Sequence, residues 1–486
     1  MMKLMHLKSM SVVVLLATLV ACSGGDDGLG KDEPVLQPSV GLTAGEATAT
    51  TLSFTVVPQN ATDCAYLCIE QGTTVPSAES VLATGKNVNA KGSTSVTVDG
   101  LEASTTYQIV AAARGEETTA VNTLKMTTGE APRTSSSHTL IFYLMGDDTG
   151  LESEMDANVQ RVLTSAINNQ LISDDNHIAI FYDRGNYCRL TEITKVDGRT
   201  KQVTIEEYAV SQSSVDPTFM ANVLAKVREE VPADSYGIVL SSHGGGWVPV
   251  TIYDSYLAEA QTRFIGQDGD DYMEIAQLAM GLSGMHFDYI LFDACFMASV
   301  EALYDLRNAT DYIVASPAEV LGKGFPYTDI LPLLFADGHD LEGVCKAFME
   351  TYGDSSGTIS LVRCSELENL ADSMKKLLTA ATGKTVDIAN IQGYEGFSPH
   401  LYFDLEQYAE ALTSDSALLN EFKSTLQKVV LYKDYTKTFY SSVGVNKGYV
   451  NLPYSCGLTC HIGENQHPAT HAAFLETNWA KAVGAK

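Results

Sequence analysis

No apolar run in this 486-residue chain reaches the ~18 residues that a membrane-crossing helix needs, so no transmembrane helix is expected. Basic residues are scarce: 31 Lys and Arg stand against 60 Asp and Glu, a formal net charge of −29. Binding to a phosphate backbone requires a basic footprint, so this balance argues against nucleic acid as a partner. The HExxH of zinc peptidases and the GxSxG of serine hydrolases are both missing. Gly383-Lys384-Thr385 ends like a phosphate-binding loop, but Leu378 stands where the first glycine of such a loop belongs. A complete disulfide framework is also missing. Of 9 cysteines, setting aside Cys22 and Cys295 leaves Cys64, Cys68, Cys188, Cys345, Cys364, Cys456 and Cys460, an odd set. Cys64/Cys68 and Cys456/Cys460 lie in strand-like sequence, where positions four apart are ~13 Å apart and cannot share a zinc ion or a disulfide. Buried free thiols are expected instead.

What is present is the composition of a soluble globular protein, 45% hydrophobic and 19% charged, with length enough for two or three domains. Lys3 and Lys8 precede the apolar segment Ser11 to Val20, a basic and then apolar arrangement typical of a secretory signal. Leu19-Val20-Ala21-Cys22 resembles a bacterial lipobox, which implies cleavage before Cys22, acylation of that cysteine and a membrane attachment through lipid only. Asp26 and Asp27 resemble the acidic tag of surface-exported lipoproteins, so the expected location is the outer membrane, facing the periplasm or the cell exterior. Without the leader, 29 basic residues face 60 acidic ones, a charge near −31 that keeps the surface soluble and attracts cationic peptides.

The organisation expected along the chain is a signal peptide over 1–21, a tether over 22–38, a small all-β domain over 39–129, a linker over 130–137 and an α/β domain over 138–486. Alternation in Leu52-Ser-Phe-Thr-Val56, Ser95-Val-Thr-Val98 and Tyr107 to Ala113 predicts a β-sandwich. Leu101 to Tyr107 resembles the tyrosine corner of fibronectin type III domains. From Thr139 onward short apolar runs alternate with helical patterns, which predicts a mostly parallel sheet flanked by helices and continuing to the C-terminus through Tyr402-Phe-Asp-Leu405 and Gly457 to Ile462.

Two of those runs end in reactive side chains. Ile238 to Leu240 lead to His243-Gly-Gly-Gly-Trp247, and Tyr289 to Phe292 lead to Cys295. Consecutive apolar positions in runs too short for helices mark strands buried on both faces, and open α/β sheets bind ligands at the carboxyl ends of such strands. If the two strands are neighbours, His243 and Cys295 share an edge as proton carrier and thiolate nucleophile. Cys295 is expected just ahead of a helix starting at Met297, whose N-terminus favours an anion. The amides of Gly244 and Cys295 are candidates to hold an oxyanion.

Ser242-His243-Gly-Gly-Gly-Trp247 together with Phe292-Asp293-Ala294-Cys295-Phe-Met297 resembles the clostripain family of cysteine peptidases, whose fold is caspase-like. Tyr143-Leu-Met-Gly-Asp-Asp148, Tyr312 to Ser316 and Gly322-Lys-Gly-Phe-Pro-Tyr327 support the likeness. It implies a His243–Cys295 dyad that cuts peptide bonds after a basic residue, Arg and possibly Lys. It also implies a carboxylate in the specificity pocket at Asp293, with Glu319 as a weaker candidate. A carboxylate capping the following helix is the competing role for Asp293. Family processing between the histidine and the cysteine points to Arg263, the one basic residue in that interval. Calcium is a further family property, for which Asp268, Asp270 and Asp271 offer oxygen atoms without the EF-hand spacing. The contrasting expectation is a catalytically inactive adhesion lipoprotein that works through its β-sandwich.

Overall fold

The computed structural model describes residues 36–129, 135–147, 149–249, 265–353, 356–384, 386–463 and 468–486. The signal segment, Cys22 and Arg263 lie outside them. The chain divides into two compact units, Met1–Pro132 and Arg133–Lys486.

The first unit is built from two antiparallel sheets. One orders β1 (Ser39–Ala47), β2 (Leu52–Gln59) and β5 (Thr94–Val98). The other orders β4 (Lys86–Asn87), β3 (Asp63–Glu70), β6 (Thr106–Arg114) and β7 (Thr119–Thr127). Alternation decides what is buried: Leu52, Phe54 and Val56 from β2 meet Cys64 and Tyr66 from β3 and Tyr107, Ile109 and Ala111 from β6 in one core. The Tyr107 hydroxyl accepts the Glu102 N–H at 2.9 Å, five residues back along the chain. Helix α1 (Ala78–Thr84), which the strand pattern does not reveal, packs Val81 and Leu82 on Ala65, Val110 and Ala112 of the outer face.

The second unit is organised by a nine-stranded sheet. Its strands are β8 (Ser136–Met145), β9 (Asn176–Asp183), β10 (Cys188–Val196), β11 (Arg199–Tyr208), β12 (Ala233–Ser241), β15 (Phe287–Asp293), β16 (Thr310–Ala315), β17 (Thr358–Arg363) and β19 (Val430–Tyr435). They lie in the order β11-β10-β9-β8-β12-β15-β16-β17-β19. The five central strands, β9 to β16 in that order, are parallel. The hairpin β10–β11 on one side and β17 with β19 on the other run antiparallel. Side chains alternate faces along each central strand. Ile238 and Leu240 of β12 and Ile290 and Phe292 of β15 therefore join one core, while Val239, Tyr289 and Leu291 join the other. Helices α2 (Glu152–Asn168), Tyr327–Leu334 and Leu341–Tyr352 contribute to the second core, and α3 (Pro217–Glu230), Ile275–Leu282, Val300–Leu306 and Leu367–Ala380 to the first. Local chemistry sets the boundaries of α3: Asp216 accepts the Phe219 N–H at 2.7 Å and Pro217 occupies the first turn.

The sheet does not continue to the C-terminus as the late apolar runs imply. β18 (Phe403–Asp404) and β22 (Thr459–Cys460) pair with each other as a separate two-stranded sheet, as do β13 (Gln267–Asp268) with β14 (Asp271–Tyr272) and β20 (Thr438–Ser441) with β21 (Gly448–Asn451). Cys456 falls in a loop rather than a strand, and Cys68 is half-buried. The cysteines among the described residues are all free.

Candidate active site

β12 and β15 are hydrogen-bonded parallel neighbours with Ser241 opposite Asp293. His243 and Cys295 each follow two residues beyond that last pair, so both leave the sheet at the same edge. Each fully buried aliphatic or aromatic side chain beneath them contributes about 1.5–3 kcal/mol, so the platform is stiff. The two residues line one cavity of about 160 Å3 together with Asp293, Glu319, Asn158 and Ser442.

The loop after His243 is pressed against the loop that carries the thiol. A Cβ on Gly244 would stand 2.4 Å from the Cys295 carbonyl oxygen and 2.8 Å from its nitrogen, so only glycine fits. The backbones of Gly244 and Cys295 are thus in contact, and neither residue's N–H donates to an acceptor among the described residues. His243 Nε2 lies 2.9 Å from the Thr149 carbonyl oxygen. A carbonyl only accepts, so Nε2 carries the proton and the lone pair of the neutral ring is on Nδ1. Burial lowers the His243 pKa, opposed by the Thr149 bond and the nearby Glu152 carboxylate.

Cys295 does not sit at a helix N-terminus, contrary to the expectation of a helix from Met297. The helix begins at Val300 and is capped by Ser299, whose Oγ accepts the Ala302 N–H. The intervening residues form a turn in which Phe296 has φ +61 and its N–H donates to the Ala318 carbonyl at 3.0 Å. The N-terminus of that helix therefore does not lie at the sulfur. Its Sγ accepts the Val320 N–H at 3.2 Å and lies 3.5 Å from the Val320 carbonyl oxygen. Burial, followed by the Glu319 carboxylate, pushes this thiol well above its ordinary pKa, while the Val320 N–H works in the opposite direction. Both shifts favour the neutral forms of the sulfur and the imidazole.

The carboxylates follow the same logic. Asp293 does not cap the following helix; its Oδ2 accepts the Tyr327 hydroxyl at 2.8 Å. Burial pushes it up to about 6, against the pull of Tyr327, the Phe325 backbone and the Arg161 charge. Gly324, at φ +63, approaches so closely that a Cβ there would stand 2.4 Å from Asp293 Oδ2. Glu319 accepts the Ser442 N–H at 2.9 Å and also the Ser442 hydroxyl, and burial raises its pKa too. Neither carboxylate forms an ion pair with a Lys or Arg among the described residues. Asp268 accepts the Ser214 N–H at 2.6 Å, and Asp270 and Asp271 are exposed. The three do not bring one oxygen each within 4.8 Å of the other two among the described residues.

Sequence reasoning missed Thr149, Val320, Tyr327 and Ser442. Tyr327 and Gly324 sit inside the Gly322 to Tyr327 motif, the one signal that marked them. Ser442 lies 123 residues from Glu319 with no local signature.

A family model for the clostripain family of C11 peptidases matches residues 143–470. The chain belongs to the clostripain family. It is thus a hydrolase of the cysteine peptidase class. Clostripain of Hathewaya histolytica is 25% identical over 162 residues, 30% of this chain and 29% of that protein, so the match spans under a third of its length. An inactive zymogen C11 protease from Parabacteroides distasonis superposes at a TM-score of 0.64 with 31% identity over 72% of this chain and 99% of that one. A secreted C11 cysteine protease from Bacteroides thetaiotaomicron, iotapain, gives 0.64 with 30% identity over the same shares. A secreted C11 protease of that organism bound to an irreversible peptide inhibitor gives 0.63 with 28% identity, again over 72% and 99%.

Proposed function

We propose that this clostripain-family chain is a lipid-anchored endopeptidase that cleaves proteins and peptides after Arg, and also Lys, with Cys295 as nucleophile and His243 as proton carrier. The observation that carries the reading is the β12–β15 register, which delivers both side chains to one cavity lined by two buried, unpaired carboxylates. An incoming guanidinium or ammonium gives Asp293, with Glu319 beside it, the ion pair that no Lys or Arg among the described residues makes with it.

The proton of the Cys295 thiol passes to Nδ1 of His243, since Nε2–H is committed to Thr149. The thiolate then adds to the scissile carbonyl, and the Gly244 and Cys295 amides receive the developing oxyanion. The imidazolium returns its proton to the leaving amine. Water, deprotonated by the same ring, hydrolyses the thioester. The Val320 hold on the sulfur supports a resting enzyme that rearranges before its first turnover, and cleavage after Arg263 is the proposed trigger. Lipidation at Cys22 supplies the outer-membrane anchor, and the 39–129 unit, with its Tyr107 to Glu102 contact, serves as a fibronectin type III-like spacer.

Hydrolysis of arginyl and lysyl fluorogenic peptides, beside neutral controls, tests the assignment. Cys295→Ala is expected to remove at least about 10⁴-fold of kcat/KM; activity that survives this change rules out the nucleophile. Mass spectrometry that finds only full-length chains in active enzyme rules out the Arg263 trigger. Palmitate labelling lost in Cys22→Ala checks the anchor.

A further inference from the structure

At the amino ends of the same strands lies a second cluster of reactive side chains, which the peptidase chemistry does not use. His138 on β8, Asp288 on β15 and His339, from the turn before the helix Leu341–Tyr352, each bring one ligating atom within 4.8 Å of the other two. Among the described residues this is the one group of three or more His, Cys, Asp or Glu side chains that converge in this way. We propose that it is a binding site for a borderline transition-metal dication of the Zn2+ class.

The hydrogen bonds hold both rings with Nε2 turned toward the common point. Nδ1 of His339 lies 2.8 Å from the Leu334 carbonyl oxygen and Nε2 lies 3.0 Å from Asp288 Oδ2; both neighbours only accept, so without a metal the ring donates Nε2–H to Asp288, and an ion takes the place of that proton. Nδ1 of His138 lies 2.8 Å from Ser235 Oγ, whose single proton has the Ser137 carbonyl at 3.2 Å and the Asp288 carboxylate as acceptors. Ser235 therefore accepts from His138, leaving Nε2 as the lone-pair nitrogen, 3.3 Å from the Tyr289 hydroxyl. A carbonyl or hydroxyl oxygen orienting the far nitrogen of a metal-binding imidazole is the usual outer arrangement of a metal site.

The dimensions agree. Tetrahedral Zn2+ with bonds of about 2.0–2.1 Å separates its ligands by about 3.3 Å. The Nε2 to Oδ2 distance of 3.0 Å is already close to that edge. The imidazole rings of His138 and His339 lie 4.4 Å apart between centroids at a 45° tilt, and the three ligating atoms lie within 4.8 Å of one another, so side-chain rotation closes the remaining gap. His339 also holds φ +52, an uncommon backbone state for a residue with a Cβ, in a turn that follows Gly338 at φ +73. An open cavity of about 450 Å3, lined by His138, Asn176, Ser235, Phe335 and His339, gives an ion access and leaves a fourth position for water.

The test uses the full chain with Cys295→Ala, so that the nucleophile cannot capture the ion, stripped by chelation and titrated with Co2+ and then Zn2+. One equivalent of Co2+ is expected, with the strong visible bands of a tetrahedral nitrogen and oxygen set, displaced by Zn2+. Asp288→Asn and His339→Gln, at partly exposed positions, are expected to weaken binding about 10-fold to 100-fold while far-ultraviolet circular dichroism stays unchanged. The same spectrum and affinity in both variants, a thiolate-to-cobalt charge-transfer band, or no binding at millimolar Co2+ would each overturn the site.

Discussion

The two ends of the parallel core use the same residue types in opposite ways. At the carboxyl ends of β12 and β15, burial favours the neutral forms of His243 and Cys295, and Asp293 and Glu319 form no ion pair with a Lys or Arg among the described residues. At the amino ends of β8 and β15, Asp288 is paired with His339, and that pairing lowers the Asp288 pKa and raises that of His339. His138, deeper and beside a second imidazole, is pushed down to about 4. A carboxylate that already has its cation has little to offer a basic peptide. One that is buried without a cation gains most from a substrate that brings one.

Breaking the carboxyl end gives the largest effects. His243→Gln removes the proton carrier without changing the cavity, and kcat/KM is expected to fall by up to about 10⁴-fold with the melting temperature nearly unchanged. Gly244→Ala forces a methyl group against the Cys295 backbone and displaces the oxyanion amides. A loss of about 10²–10³-fold is expected, with substrate KM moving less than kcat.

Asp293→Asn sharpens the comparison by removing a charge while keeping the shape. Arginyl substrates are expected to lose about 2 kcal/mol, roughly 30-fold, and neutral ones much less, as measured by parallel kcat/KM values. Asp293 titrates near pH 6. It is ionised above that pH, so preference for basic residues is expected to hold above about 6 and to fade as pH drops through it. The Tyr327 hydroxyl lowers this pKa, so Tyr327→Phe moves the acid limb of the pH profile upward, on the order of one unit. Ser442→Ala, which takes a donor from Glu319, is the mildest change, with a KM increase of a few fold.

Much of this arrangement was legible in the chain itself. Runs such as Ile238 to Leu240 and Tyr289 to Phe292 are apolar at every position because both faces of the sheet are covered, and that pattern marks interior parallel strands. The reactive residues stood out because each ended such a run. What stayed hidden was set by distant packing. The helix expected from Met297 begins three residues later because Phe296 and Ala298 hydrogen-bond to Ala318 and Ser316, from the end of β16 and the loop that follows it. β18 and β22 read as members of the main sheet, since a two-residue ladder and a sheet edge have the same apolar spelling. Ser442 reaches Glu319 across 123 residues, a distance over which no periodicity operates.

β12 and β15 are interior strands, with at least three others on either side of the pair. Their amide protons cannot exchange with solvent by fraying from an edge; they are released only when the ladder as a whole comes apart. Heat should therefore destroy the scaffold of catalysis and the fold in one event. The peptidase is expected to keep cutting up to the temperature at which it melts, and then to stop abruptly.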